Sequence, residues 1–431
     1  MTNIHFYITS CIIIITILLW ASAILPEYIT TLIFFSLSML FSIAPATSIF
    51  KGFTSQAFWI VLSGFVLGTA IRKVGLAQRW ANLLIVPFSQ SWLCMVTGTV
   101  MLSYILAFIM PSNMGRIALL MPVIMTLSER AGIKSGSRGS IGLALAVGFG
   151  TFQLSSSILP ANVPNLILSS AVENTWQLHL KWMQWWLLQM PILGIAKGIL
   201  LIICIICLFR AEPIAIFNKD TSSSISYNEW RLIILLIIIL LFWSTDGLHG
   251  VPAAWIGLAA ACICLLPKIG FLSTHDFMHN VDFCTCLYVA GILGITTLLT
   301  DSGLGITVSN VLIKLVPIKP HEPFFNFISL NILVFLLDLM FTANAVPAII
   351  TPMASKLAYS SDFSLITIIM LQVFIYATPL LPYQASPIIV AMKLGNVPAK
   401  DGLQLCLLIF ILSILILLPI NYLWFHILGY I

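Results

Sequence analysis

Residues 108–122 read Phe-Ile-Met-Pro-Ser-Asn-Met-Gly-Arg-Ile-Ala-Leu-Leu-Met-Pro. Pro111, Ser112, Asn113, Gly115 and Arg116 thus interrupt strongly apolar sequence. Hydrocarbon satisfies neither a backbone broken by Pro and Gly nor a guanidinium. Such a segment needs protein or a water-filled cavity around it. A related stretch runs from Leu337 to Pro352, with Asp338, Thr342 and Asn344 in a similar setting. Asn113 aligns with Asn344, and Pro122 with Pro352. Two more polar breaks, Leu159-Pro-Ala-Asn-Val-Pro-Asn165 and Leu381-Pro-Tyr-Gln-Ala-Ser-Pro387, fall in later apolar runs.

A hairpin tip and an unwound helix expose carbonyls, N–H groups and helix ends. Carbonyls joined by Ser, Thr or Asn oxygens suit a dehydrated Na⁺, and helix N-termini suit an anion. Each tip and its following break make one half-site. The expected anion-binding residues are Asn113, Arg116, Asn162, Pro164, Asn165, Asn344, Tyr383, Gln384 and Ser386. The expected Na⁺ ligands are Ser112, Asn113, Ala161, Thr342, Asn344 and Gln384.

Arg116 has three readings: it binds the anion, pairs with Asp338 on the other hairpin, or runs along the hairpin to the inner surface. Asp338 reads as a cation ligand, a proton carrier or the partner of Arg116. Lys197, inside an apolar helix, is expected to snorkel to the interface. Enzyme chemistry finds no support. There is no His-Glu-x-x-His, no Gly-x-Ser-x-Gly and no carboxylate pair, and Ser155–Ser157 has no His or Lys at a matching depth. The nine cysteines read as small buried hydrophobes, and no cofactor beyond a coupling ion is expected. Lys and Arg are scattered, which argues against nucleic acid.

The composition sets the frame for these motifs. Of 431 residues, 60% are hydrophobic and 8% charged, where a soluble domain carries roughly 25% charged. An integral membrane protein follows, in a bacterium one of the inner membrane. The expected fold is all-α and polytopic, with two inverted repeats. It has about ten spanning helices, two re-entrant helical hairpins and two broken helices. The first repeat covers 1–209: scaffold helices 5–86, hairpin 90–127, broken helix 140–172 and helix 186–208. Residues 210–230 form a cytoplasmic connector. The second repeat covers 231–431: scaffold helices 231–299, hairpin 324–357, broken helix 364–392 and helix 402–428. Residues 80–85 read as an interfacial helix, and Trp176, Trp182, Trp185 and Trp186 as an aromatic belt.

Matched positions recur at a nearly constant spacing: Trp20 with Trp243, Gly75 with Gly303, Asn113 with Asn344, and Pro160 with Pro382. An odd number of crossings per half inverts the second. With both termini outside, twelve Lys and Arg residues fall in inner loops and five in outer loops, as the positive-inside rule requires.

These motifs resemble the divalent anion:sodium symporter family. The resemblance rests on Leu19-Trp20 through Leu25-Pro26, and on Gly52-Phe53, Gly64-Phe65, Gly75-Leu76 and Arg79. It continues through the tips Ser112-Asn113-Met114 and Thr342-Ala343-Asn344-Ala345 and the breaks Val163-Pro164-Asn165 and Ser386-Pro387-Ile388. It implies an elevator-type symporter of a small anion such as a dicarboxylate or sulfate. Na⁺ would sit at each tip, the anion between them, and hairpins and broken helices would move against a dimeric scaffold in the bilayer. The chain departs from the family at Met114 and Ala345, which replace tip hydroxyls, and at Tyr383-Gln384 in the second break.

Overall fold

The computed structural model describes the chain except residues 1–2, 23, 77–78, 80–89, 111, 214–224, 303, 305–316, 320 and 341–342. The expected interfacial helix, Thr342 and most of the connector therefore lie outside the described residues. No strand occurs among the described residues. The first eight long elements are α1 (Asn3–Ser22), α2 (Glu27–Leu40), α3 (Gln56–Val74), α4 (Trp92–Ala107), α5 (Asn113–Arg130), α6 (Arg138–Ser155), α7 (Val163–Trp176) and α8 (Trp182–Leu208). The next eight are α9 (Tyr227–Ser244), α10 (Ala253–Leu265), α11 (Phe283–Asp301), α12 (Pro323–Met340), α13 (Ala345–Ser361), α14 (Leu365–Tyr376), α15 (Ser386–Leu394) and α16 (Ala399–Ile427).

Two local details recur between the first eight helices and the next eight. The Trp20 indole donates to the Glu27 carbonyl at 3.1 Å, and the Trp243 indole donates to the Ala253 carbonyl at 3.1 Å. In each case the first or ninth helix is tied to the first residue of the next. The last helix of each set also contains a π turn, Met190–Ala196 in α8 and Ser413–Leu417 in α16.

The helices are interrupted at the first expected hairpin tip and at both expected breaks. α4 and α5 are separated by residues 108–112, and α6 and α7 by a turn holding the 3₁₀ segment Leu159–Ala161. In the second set, α12 ends at Met340 and α13 begins at Ala345, and residues 341–342 of the expected tip lie outside the described residues. The α14–α15 break holds the 3₁₀ segment Pro382–Gln384. The connector ends earlier than expected. Ser226 and Glu229 form a capping box that starts α9 within it.

α8, α9 and α16 are each long and apolar enough to span a bilayer alone. Each presents exposed aliphatic residues outward, such as Ile199, Ile203, Ile237, Leu241, Leu415 and Leu423. In lipid such a face carries no penalty. α6 is the opposite case: every residue from Gly139 to Ser155 is buried. It packs on α4, α5 and α8, and on α15 from the other set. Small residues let these backbones approach. A Cβ on Gly148 would lie 2.6 Å from the Ala391 Cβ, whereas one on Gly198 would meet only Leu154 at 3.6 Å.

Two expectations fail here. Lys197 does not snorkel: it is wholly buried, and its ammonium donates to the Ala377 carbonyl at 2.9 Å and to the Thr378 hydroxyl. It meets free oxygens at the end of α14, so it need not reach water. Trp182 and Trp185 are not interfacial either. Both are buried, because the Trp185 indole donates to Ser156 O at 3.1 Å and Trp182 stacks on Trp186.

Gly148→Ala is expected to cost about 1–3 kcal/mol of stability through overpacking, while Gly198→Ala costs little. Thermal unfolding of the two purified variants checks this; equal midpoints would refute the α6–α15 contact.

Candidate functional site

The first tip and first break form one hydrogen-bonded body. Ser112 caps α5, its hydroxyl accepting from Gly115 N at 3.1 Å. The Asn113 amide donates to Asn162 Oδ1 at 2.9 Å, and its Oδ1 accepts from Ser155 Oγ at 3.2 Å and from Arg116. Asn162 donates to Ser156 Oγ at 2.8 Å and Phe152 O at 3.3 Å. Asn165 turns back across the break, donating to Ser156 O at 3.1 Å and Ile158 O at 3.0 Å. Its own Oδ1 accepts from the Tyr376 hydroxyl at 2.8 Å. Tyr376 ends α14, so this bond ties the two breaks together.

Arg116 is wholly buried. Its guanidinium donates to Met110 O, Asn113 Oδ1, Thr151 O at 3.2 Å and Ala161 O at 3.1 Å. It neither reaches the surface nor pairs with Asp338, because nearby oxygens of its own half use its donors. Asp338 is buried on α12 and accepts instead from the Gln384 amide, at 2.5 Å on Oδ2 and 2.9 Å on its carbonyl. Asp338 Oδ1 has no partner among the described residues. The Tyr383 hydroxyl donates to Leu339 O at 2.8 Å, and Ala343 N donates to Gln384 O at 3.0 Å. Tip and break are thus tied in the second set as well, by neutral donors.

Both bodies face one cavity. Ser112, Asn113, Asn162, Asn344, Gln384 and Ser386 line it. Among the residues expected at the site, Ala161, Pro164, Asn165, Arg116, Tyr383 and Asp338 stand behind or beside this wall. Pro164 has a local role in the first turn of α7, where a missing N–H costs nothing. The opposite wall comes from α2, α3 and α11, with Glu27, Val61, Phe65, Thr285 and Tyr288. The sequence reading passed over Glu27 as a polar break between spans. The available signal was an acidic residue directly after Pro26, at a helix start within apolar sequence.

A family model described as the sodium:sulfate symporter transmembrane region matches residues 2–431. The chain belongs to that family. Curated relatives agree at low identity. A membrane protein of Cupriavidus necator is 25% identical over 58% of this chain and 51% of its own length. The inner membrane protein YbhI of Escherichia coli is 24% identical over 59% and 55%. The chain thus spans about half the length of these two relatives. The L-tartrate/succinate antiporter of Escherichia coli is 23% identical over 87% of this chain and 79% of its own. Among solved structures, the YdaH transporter of Alcanivorax borkumensis shares the fold. Its TM-score is 0.55 at 14% identity, covering 89% of this chain and 88% of that one.

This sodium:sulfate symporter family member depends on the Tyr376–Asn165 bond to close both breaks. Tyr376→Phe leaves a buried carboxamide oxygen without that donor. A loss of about 1–3 kcal/mol is expected, read as a lower thermal midpoint; an unchanged midpoint would show that the bond carries nothing.

Proposed function

We propose that the chain is a secondary active carrier of a small anion, bound in the cavity between the two tips. One observation carries this reading. α5, α7, α13 and α15 begin at Asn113, Val163, Ala345 and Ser386, at or beside the cavity wall. Each helix start presents unpaired N–H groups and about half a positive charge. Four such starts around one cavity favour an anion. The cavity, about 70 Å³, holds a few water-sized groups, which suits a compact solute. Sulfate and small dicarboxylates fit that description, and the tartrate/succinate relative supports the latter.

In this reading the two sets are inverted repeats of residues 1–209 and 231–431. The transport unit is α4–α7 with α12–α15, moving elevator-fashion against a scaffold of α1–α3 and α9–α11 in a homodimer. Alternating access then exchanges cavity walls rather than opening a pore, with the anion shifting the population between two states. Both termini lie outside. Coupling to Na⁺ follows the family resemblance. Proton coupling through Asp338 is the second reading, favoured by its buried carboxylate with one unpartnered oxygen. Uptake driven by a pH gradient in choline buffer separates the two.

Asn344 lines the cavity without a side-chain hydrogen bond among the described residues, so it is free to meet the solute. Asn344→Ala is expected to weaken the anion about tenfold, or about 1.4 kcal/mol. The measurement is thermal stabilisation of purified protein by L-tartrate, succinate and sulfate, followed by proteoliposome uptake. Stabilisation by none of these anions in the unsubstituted chain would sink the anion reading.

A further inference from the structure

Arg116 lies one helical turn into α5, immediately behind the anion cavity. Its guanidinium gathers oxygens from four places: the hairpin loop (Met110 O), the tip (Asn113 Oδ1), α6 (Thr151 O) and the break (Ala161 O). Three are backbone carbonyls and one is a carboxamide oxygen. That donor set suits a dehydrated monovalent cation, and Asn113 and Ala161 are two of the residues the sequence assigns to Na⁺. Here a covalently attached cation holds them. A second cation among the same oxygens would face like-charge repulsion at close range. No carboxylate contacts Arg116 among the described residues to offset it. The first half-site therefore does not fit Na⁺.

The second half-site is built differently. Its hairpin carbonyls at Asp338 and Leu339 accept from the neutral Gln384 amide and Tyr383 hydroxyl. Among the described residues Lys197 donates to Ala377 and Thr378, neither of which is in the hairpin. Asn344 and Ser386 line the cavity with no side-chain hydrogen bonds among the described residues.

We propose that Arg116 is a tethered cation that takes the place of a mobile Na⁺ in the first half-site. The carrier then uses at most one coupling cation, in the second half-site. A fixed positive charge stays behind the anion site throughout the cycle, including the return without solute. This rests on the carrier reading above and restricts its coupling.

The test uses the purified full-length chain, with Na⁺ titrated against choline at constant ionic strength and thermal unfolding as the readout. The unsubstituted protein is expected to show no Na⁺ effect, or a saturating one with a Hill coefficient of one. Arg116→Ala should lose several degrees. It should regain at least half of that with Na⁺ or low-millimolar guanidinium, but not with choline. Arg116→Lys should need neither ion. A Hill coefficient near two in the unsubstituted protein overturns the proposal. So does an Arg116→Ala protein that neither cation rescues. If Arg116→Ala cannot be purified, the titration of the unsubstituted protein decides alone. Anion-dependent stabilisation is read in the same samples. Its absence strikes the carrier reading and leaves the cation result standing.

Discussion

A backbone that leaves its helix inside hydrocarbon has to find a partner for each N–H and C=O it frees. Most of the site is arranged around that constraint. Asn162 and Asn165 bond back across the first break, and the Trp185 indole reaches in from α8 to take the Ser156 carbonyl. Lys197 does the same for the end of α14. Gln384 and Tyr383 serve the second hairpin. With these groups satisfied, the four helix starts are held open toward one cavity rather than collapsing on one another.

The two halves meet this constraint with different chemistry. The first uses carboxamides and a guanidinium; the second uses a carboxamide, a phenol and an ammonium drawn from α8 in the first set. Asn113 and Asn162 line the cavity while bonded to each other, whereas Asn344 and Ser386 line it with no side-chain hydrogen bond among the described residues.

What was legible in the sequence followed from local signals. Pro, Gly and Asn inside apolar runs located the helix interruptions at 108–112, 156–162 and 377–385, because such residues disrupt a lipid-embedded helix whatever surrounds it. Destinations of long side chains were not legible. Lys197 looks the same in sequence whether it snorkels or finds Ala377, 180 positions away. The tryptophans at the start of α8 suited an interface until the Ser156 carbonyl appeared beside Trp185. Glu27 was missed because its relation to the tips exists only once α2 is folded against α11. Asn113 and Ala161 were legible as tip and break residues, but that both accept from Arg116 of the same chain was not.

The bond from Tyr376 to Asn165 has a bearing on biogenesis. The first broken helix is synthesised and inserted long before residue 376 of the 431-residue chain leaves the ribosome. Until then the Asn165 carboxamide oxygen has, among the described residues, no donor from its own half. A chain truncated after the first set would carry that open acceptor into the bilayer permanently, a mark by which quality control can tell an orphan half from a finished protein.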